Sequence, residues 1–179
     1  MAEDKLILVD IFDRPVGSAG KAEAHRRGLL HRAFSVFLVS GNTMLIQQRA
    51  LHKYHSGGLW SNACCSHPRV GESLTDAVYR RLQEELGLQT PCHEVGEFVY
   101  RHEFSQELFE YEYDHIFVGE YSGEVKLNPE EAMAMRWIGL NELADDLRKK
   151  PQKYSVWFLT AAPMVLTTLK NKNYSKTSK

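Results

Sequence analysis

"GESLTDAVYRRLQEELGL", residues 71–88, reads as a short loop leading into one amphipathic helix. Ser73 is placed to cap that helix, and Gly87 to stop it after Leu86. At about 100° per residue, Leu74, Ala77, Val78, Leu82 and Leu86 fill one arc. Glu85 falls inside the arc and Glu84 outside it, where it is solvated. A carboxylate on the core-facing side needs a partner, because an isolated charge there is expensive or takes up a proton. Arg81, one turn earlier at the edge of the arc, offers an i,i+4 ion pair, and a metal ion is the alternative partner.

Outward from this helix the chain has an α+β order. "KLILVDIF" and "AFSVFLVS" are β-rich runs, and Gly41-Asn42 joins the second to "MLIQQRA" as a hairpin. "EFVYRHEFS" and "FEYEYDHIFVGEY" alternate as two further strands; "NELADDLRKK" is a short helix closed by Pro151; and "SVWFLTAAPMVLTTLK" is an apolar helix bent or interrupted at Pro163. With 179 residues, 43% hydrophobic content and no Pro/Gly/Ser-rich seam, the chain reads as one domain over residues 1–170 with a frayed polar tail over 171–179. A net charge of −1, from 22 Lys+Arg against 23 Asp+Glu, gives no electrostatic reason to expect nucleic acid or a membrane surface, and a small ligand fits better. The acidic start "MAEDKLILVD" and the lack of a spanning apolar run make the cytoplasm the expected compartment, where three cysteines do not form a disulfide framework.

Two clusters carry chemistry. In "FEYEYDHIF" the two-residue period puts Glu110, Glu112 and Asp114 on one face and Tyr111, Tyr113 and Phe117 on the other. The plain reading is a sheet with one solvated side. It leaves unused His25 and His31 in "EAHRRGLLHRAF" and His67, two residues after Cys65; three imidazoles with two carboxylates make an N/O cage for a divalent transition metal. The second cluster is "LWSNACCSHPRVGES", residues 59–73, whose adjacent cysteines could form a disulfide, half a metal site, or a reactive thiol. Cys64 and Cys65 point to opposite sides if the segment is extended, so one packs while the other faces outward.

"RRLQEELGL" resembles the Nudix box, a loop–helix that binds divalent metal and a diphosphate, with Glu72, Arg80, Glu84, Glu85 and Gly87 on matching positions. Ser66 stands where the box usually begins with glycine. Arg81 replaces the first glutamate of its Arg-Glu pair, which favours binding a diphosphate over cleaving it. With "HRRGLLHRAFSVFL", "LWSNACCSHP" and "EYEYDHIF" in the same order, the chain from about Lys5 to Leu169 looks like the type 1 isopentenyl-diphosphate isomerase family, a branch of the Nudix fold. The loop "KYHSGGLW" departs from the aromatic-Pro-Gly turn of that family.

The resemblance implies a mixed sheet sandwiched by helices and a prenyl diphosphate substrate isomerised by a 1,3-allylic proton shift. It further implies Cys65 and Glu112 as the acid/base pair, Tyr100 beside Glu112, and Trp157 with its π face over a carbocation. Lys21, Arg49, Lys53 and Arg81 would hold the diphosphate. His25, His31, His67, Glu110 and Glu112 would hold Mn²⁺ or Zn²⁺, and Glu85 with the backbone carbonyl of Cys65 would hold Mg²⁺. A Nudix-type diphosphohydrolase and a structural zinc protein are the competing readings. The box argues against the first through Arg81, and the second would show paired Cys-x-x-Cys ligands, absent here.

Overall fold

The computed structural model describes residues 5–177, with side chains described through residue 172. Four strands and one helix come first: β1 (Lys5–Val9), β2 (Pro15–Gly20), α1 (Lys21–Arg27), β3 (His31–Ser40) and β4 (Thr43–Arg49). The short β5 (Trp60–Ser61) and β6 (Cys64–Ser66) lead to α2 (Leu74–Leu86), and the long pair β7 (Cys92–Ser105) and β8 (Leu108–Glu120) follows. The chain ends in β9 (Ala132–Gly139), α3 (Leu140–Lys149), a 3-10 turn (Pro151–Lys153) and α4 (Val156–Thr177).

All nine strands belong to one curled mixed sheet that branches at β3. β3 runs antiparallel to β1, β4 and β6 and parallel to β8; β8 pairs antiparallel with β7, and β4 with both β5 and β9. Flanked on both sides, β3 is buried on both faces, which explains its near-continuous apolar run. The two-residue period then divides its side chains. Phe34, Val36 and Leu38 join Leu82 and Leu86 of α2 in one core, while Phe37 and Val39 join Phe158, Ala161 and Val165 of α4 in the other. The expected α+β single domain, a mixed sheet between helices, is the observed fold.

Local chemistry sets the element ends as the sequence implies. Gly41, at φ 54°, turns the β3–β4 hairpin so that Ser40 faces Thr43. Gly87, at φ 64°, closes α2 with its N–H on the Gln83 carbonyl. Ser73 Oγ accepts the Asp76 N–H at 3.1 Å and caps the other end. Ser73→Ala is expected to cost about 1 kcal/mol, seen as a fall in Tm of about 2–4 °C in thermal unfolding.

Two expectations change. α4 is uninterrupted at Pro163, because that proline lies on the exposed side, where water can take the carbonyl its missing N–H leaves unbonded. The helical backbone also continues to Thr177, into the segment read as a frayed tail; residues 178–179 and the acidic start at residues 1–4 lie outside the described residues. Among the described residues no helix is long and apolar enough to cross a membrane.

Candidate active site

The face of the sheet that α4 covers turns polar near the start of that helix. On β8, Ile116 and Val118 sit in the apolar core, and the same side continues through Asp114, Glu112 and Glu110, each no more than 8% exposed. The plain reading of a solvated acidic face is therefore overturned. β8 is roofed on that side, and its carboxylates point into the protein.

Register brings their partners. The parallel β3–β8 pair sets His31 opposite Glu112, and the antiparallel β7–β8 pair sets Tyr100 opposite the same residue. The Tyr100 hydroxyl donates to Glu112 Oε2 at 2.7 Å, while His67 Nε2 lies 2.9 Å and His31 Nε2 3.5 Å from Glu112 Oε1. His25, from α1, places Nε2 3.4 Å from Glu110 Oε2. Candidate ligand atoms of His25, His31, His67, Glu110 and Glu112 all lie within 4.8 Å of one another.

The donor set fits a divalent cation. His31 Nδ1 is 2.8 Å from the Leu29 carbonyl, which can only accept, so the neutral ring carries its proton there and turns a bare Nε2 inward. His31 Nε2, His25 Nε2 and Glu110 Oε2 are buried without a hydrogen-bond partner. Such atoms are costly unless something positive completes them. Burial opposes charge on His31, yet Glu112 outweighs it and raises its pKa above the ordinary value. Burial also opposes ionisation of Glu112, but the His31 and His67 rings beside it hold its pKa well below the usual carboxylate range. Asp114 behaves oppositely. Burial and the neighbouring Glu112 charge push its pKa well up, against the hydrogen bond that Ser35 Oγ donates to its Oδ2 at 2.8 Å.

A cavity of ≈ 130 Å³ opens over this cluster. Cys65, Tyr100, Glu112 and Trp157 line it, and so do the four cations named from the sequence, Lys21, Arg49, Lys53 and Arg81. β6 pairs with β3 so that Cys65 faces Ser35 and Cys64 faces Val36. That alternation buries Cys64 completely in the α2 core and leaves Cys65 half-buried at the cavity. Burial pushes the Cys65 thiol up to about 12, with Arg49 pulling the other way. Arg49 Nε and Arg81 Nε are buried with no partner. Two unsatisfied guanidinium donors at one cavity suit an anion with several oxygens.

Glu85 is 4% exposed as its place in the helical arc requires, and it does not line the cavity. Both readings of it meet here. The i,i+4 ion pair with Arg81 forms, yet burial still pushes the Glu85 carboxyl up to about 7 against that charge. Arg81 is shared further, with Glu84 at 2.7 Å and Glu131 at 3.4 Å, and Lys53 also pairs with Glu131. Glu72 grips Arg80 with both oxygens, at 2.7 and 2.9 Å, which ties the loop before α2 onto the helix.

Four participants escaped the sequence reading. Asn62 Oδ1 accepts from Trp157 Nε1 at 3.1 Å and from Cys65 Sγ at 3.8 Å, so one amide positions both. Glu131 neutralises the cavity mouth. Tyr54 and His55 both touch Glu110 Oε1, at 3.1 and 2.7 Å. Asn62 lies inside the quoted cysteine stretch; the other three carry no periodic signal.

The sequence profile of the NUDIX domain matches residues 29–158. The solved structure of a MutT NUDIX hydrolase from Burkholderia pseudomallei superposes with a TM-score of 0.62 at 19% identity, over 76% of this chain and 98% of that one. A Deinococcus radiodurans protein gives a TM-score of 0.68 at 18% identity, over 82% and 90%. These likenesses speak to the fold alone. Sequence similarity is closer to an isopentenyl-diphosphate Delta-isomerase 2 of Aromatoleum aromaticum, 48% identical over 166 residues, 92% of this chain and 88% of that protein. An isopentenyl-diphosphate Delta-isomerase of Burkholderia multivorans is 50% identical over 157 residues, 87% and 89% of the two chains. With the NUDIX domain matched over most of its length and near-half identity sustained across whole chains, the protein belongs to the isopentenyl-diphosphate Delta-isomerase family of the NUDIX superfamily.

Proposed function

We propose that the protein interconverts isopentenyl diphosphate and dimethylallyl diphosphate by a metal-dependent 1,3-allylic proton shift, as a cytoplasmic step of isoprenoid synthesis. The observation that carries this is the joint lining of one cavity by a thiol, a tyrosine-bonded carboxylate, a tryptophan and four cations. An alkene is a weak base, so one group must add a proton to its terminal carbon, giving a tertiary cation at the next carbon. A second group then removes a proton from the methylene beyond. Cys65 and Glu112 are these two groups. Each side of the site holds a proton, on the Cys65 thiol and on the Tyr100 hydroxyl bonded to Glu112. Trp157 lines the cavity with its indole N–H anchored on Asn62, and the Arg49 guanidinium lies over its ring at 5.0 Å; a cation on that π face is worth about 2 kcal/mol in a dry site.

Lys21, Arg49, Lys53 and Arg81 hold the diphosphate. His25, His31, His67, Glu110 and Glu112 would hold Mn²⁺ or Zn²⁺, and Glu85 with the Cys65 carbonyl would hold Mg²⁺. Such ions would supply positive charge beside Glu112 and the diphosphate.

Incubation with isopentenyl diphosphate, Mg²⁺ and Mn²⁺ in heavy water is expected to yield dimethylallyl diphosphate carrying deuterium, with no phosphate released. Absence of the isomer from the metal-loaded protein would sink this reading, and free phosphate in its place would identify a hydrolase.

A further inference from the structure

The loop between β4 and β5 carries a residue that the acid/base and diphosphate assignments leave idle. His55 is 8% exposed, although it lies in a surface connection. Its Nε2 stands 2.7 Å from Glu110 Oε1, and Tyr54 donates its hydroxyl to the same oxygen at 3.1 Å. A carboxylate oxygen only accepts, so Nε2 carries the proton and Nδ1 is left to accept from Ser56 Oγ at 3.1 Å. With Oε1 doubly engaged, Oε2 is the free oxygen of Glu110, buried and facing His25 Nε2 at 3.4 Å.

The ring is held as firmly as its nitrogens. It stacks on Phe104 with centroids 4.2 Å apart at 12°, and meets Trp157 edge-on at 5.7 Å. The loop beneath it is closed by backbone bonds from Gly58 N to Arg49 O at 2.9 Å and from Lys53 N to Ala50 O at 3.2 Å. Ser56 sits in the left-handed region at φ 53°, and a Cβ on Gly57 would lie 2.6 Å from the Leu51 carbonyl oxygen. A loop packed that tightly sets the direction of the His55 ring. His55 also lies outside the five residues whose ligand atoms converge.

We infer that His55 is a positioning residue: its Nε2–H, aided by the Tyr54 hydroxyl, occupies one oxygen of Glu110 and turns the other toward the metal. This rests on the metal-cage reading given under the proposed function. Partners of this kind orient a ligating carboxylate, and losing one costs about 10–100-fold in metal affinity.

The test is calorimetric titration of Mn²⁺ into the metal-stripped full chain, with thermal unfolding to verify the fold. His55→Phe keeps the stack on Phe104 but removes the donor, and its affinity should fall by about 10–100-fold. His55→Gln, whose amide nitrogen reaches about as far as Nε2, should recover most of the loss. Should His55→Phe fail to fold, His55→Asn takes its place with the same expected fall, because its shorter amide stops near the Nδ1 position. Unchanged affinity in the donor-less variant overturns the inference, and so does an equal loss in His55→Gln, because a restored donor would then fail to restore the metal site. A wild type that binds no Mn²⁺ would instead overturn the metal cage itself.

Discussion

Glu112→Gln is expected to abolish most isomerisation, lowering kcat by about 10³–10⁴-fold while the protein stays folded. Acid/base participation alone is worth about 10²–10⁴-fold, and the substitution also removes the charge on which His31, His67 and Tyr100 converge. The amide is close in shape, and the Tyr100 hydroxyl can rotate to accept from its NH₂, so the core around Ile116 and Val118 is undisturbed. Mn²⁺ affinity should fall with kcat, because one of the five converging ligand groups loses its negative charge. Asp114→Asn is the internal control. That carboxyl lies on the same face two residues on, but burial and the Glu112 charge disfavour its ionised form and it stands outside the five converging ligand groups, so its amide should cost activity less than about tenfold. The pair of variants, compared by product formation and Mn²⁺ titration, separates a role for Glu112 from a general intolerance of polar change on β8. Near-equal activities would refute the assignment.

Cys65→Ser should lower kcat by about 10²–10⁴-fold and leave KM within a few fold. A serine hydroxyl is a far weaker acid than a thiol, even one that burial has pushed up to about 12, so the proton step slows. Substrate binding rests elsewhere, on Lys21, Arg49, Lys53 and Arg81. Cys64→Ser should invert the pattern. Its side chain is fully buried in the α2 core beside the Glu85 carboxyl, so a hydroxyl, costlier than a thiol to bury, lowers stability by about 1–3 kcal/mol, with activity retained in the folded fraction. Steady-state kinetics and urea unfolding of the two variants distinguish the neighbours. Activity lost equally in both would remove the special role of Cys65.

The contrast between these two thiols was legible in the sequence, since alternation along an extended segment sends neighbours to opposite faces whatever the fold around them. The same holds for α2. Its Ser73 cap, its Gly87 stop and the inward turn of Glu85 follow from periodicity and from which residues can cap or adopt positive φ, and all three recur in the structure. The hairpin at Gly41-Asn42 is of the same kind. Local rules also fail locally, as at Pro163, where helix-breaking chemistry was outvoted by an exposed position and the packing of Ala161, Ala162 and Val165 on the core.

The site itself is a different matter, because periodicity says which residues share a face but not which strand lies alongside. His31 meets Glu112 only because β3 and β8 pair in parallel across a separation of some eighty residues, with β4, β5, β6, α2 and β7 between them. An antiparallel β8, or a shift of one residue, would carry Glu112 away from His31 and send the acidic face to the other side. The resemblance to a family named the ligands; the register explains why they meet. Loop contacts were wholly out of reach. Tyr54 and His55 on Glu110 and Glu131 between Lys53 and Arg81 arise from segments without a repeating pattern. The order of the chain alone determined the elements with a clear period, their caps and which residues share a face. Tertiary structure decided which faces meet, because long-range pairing is set by the burial that the whole sheet and its helices achieve together.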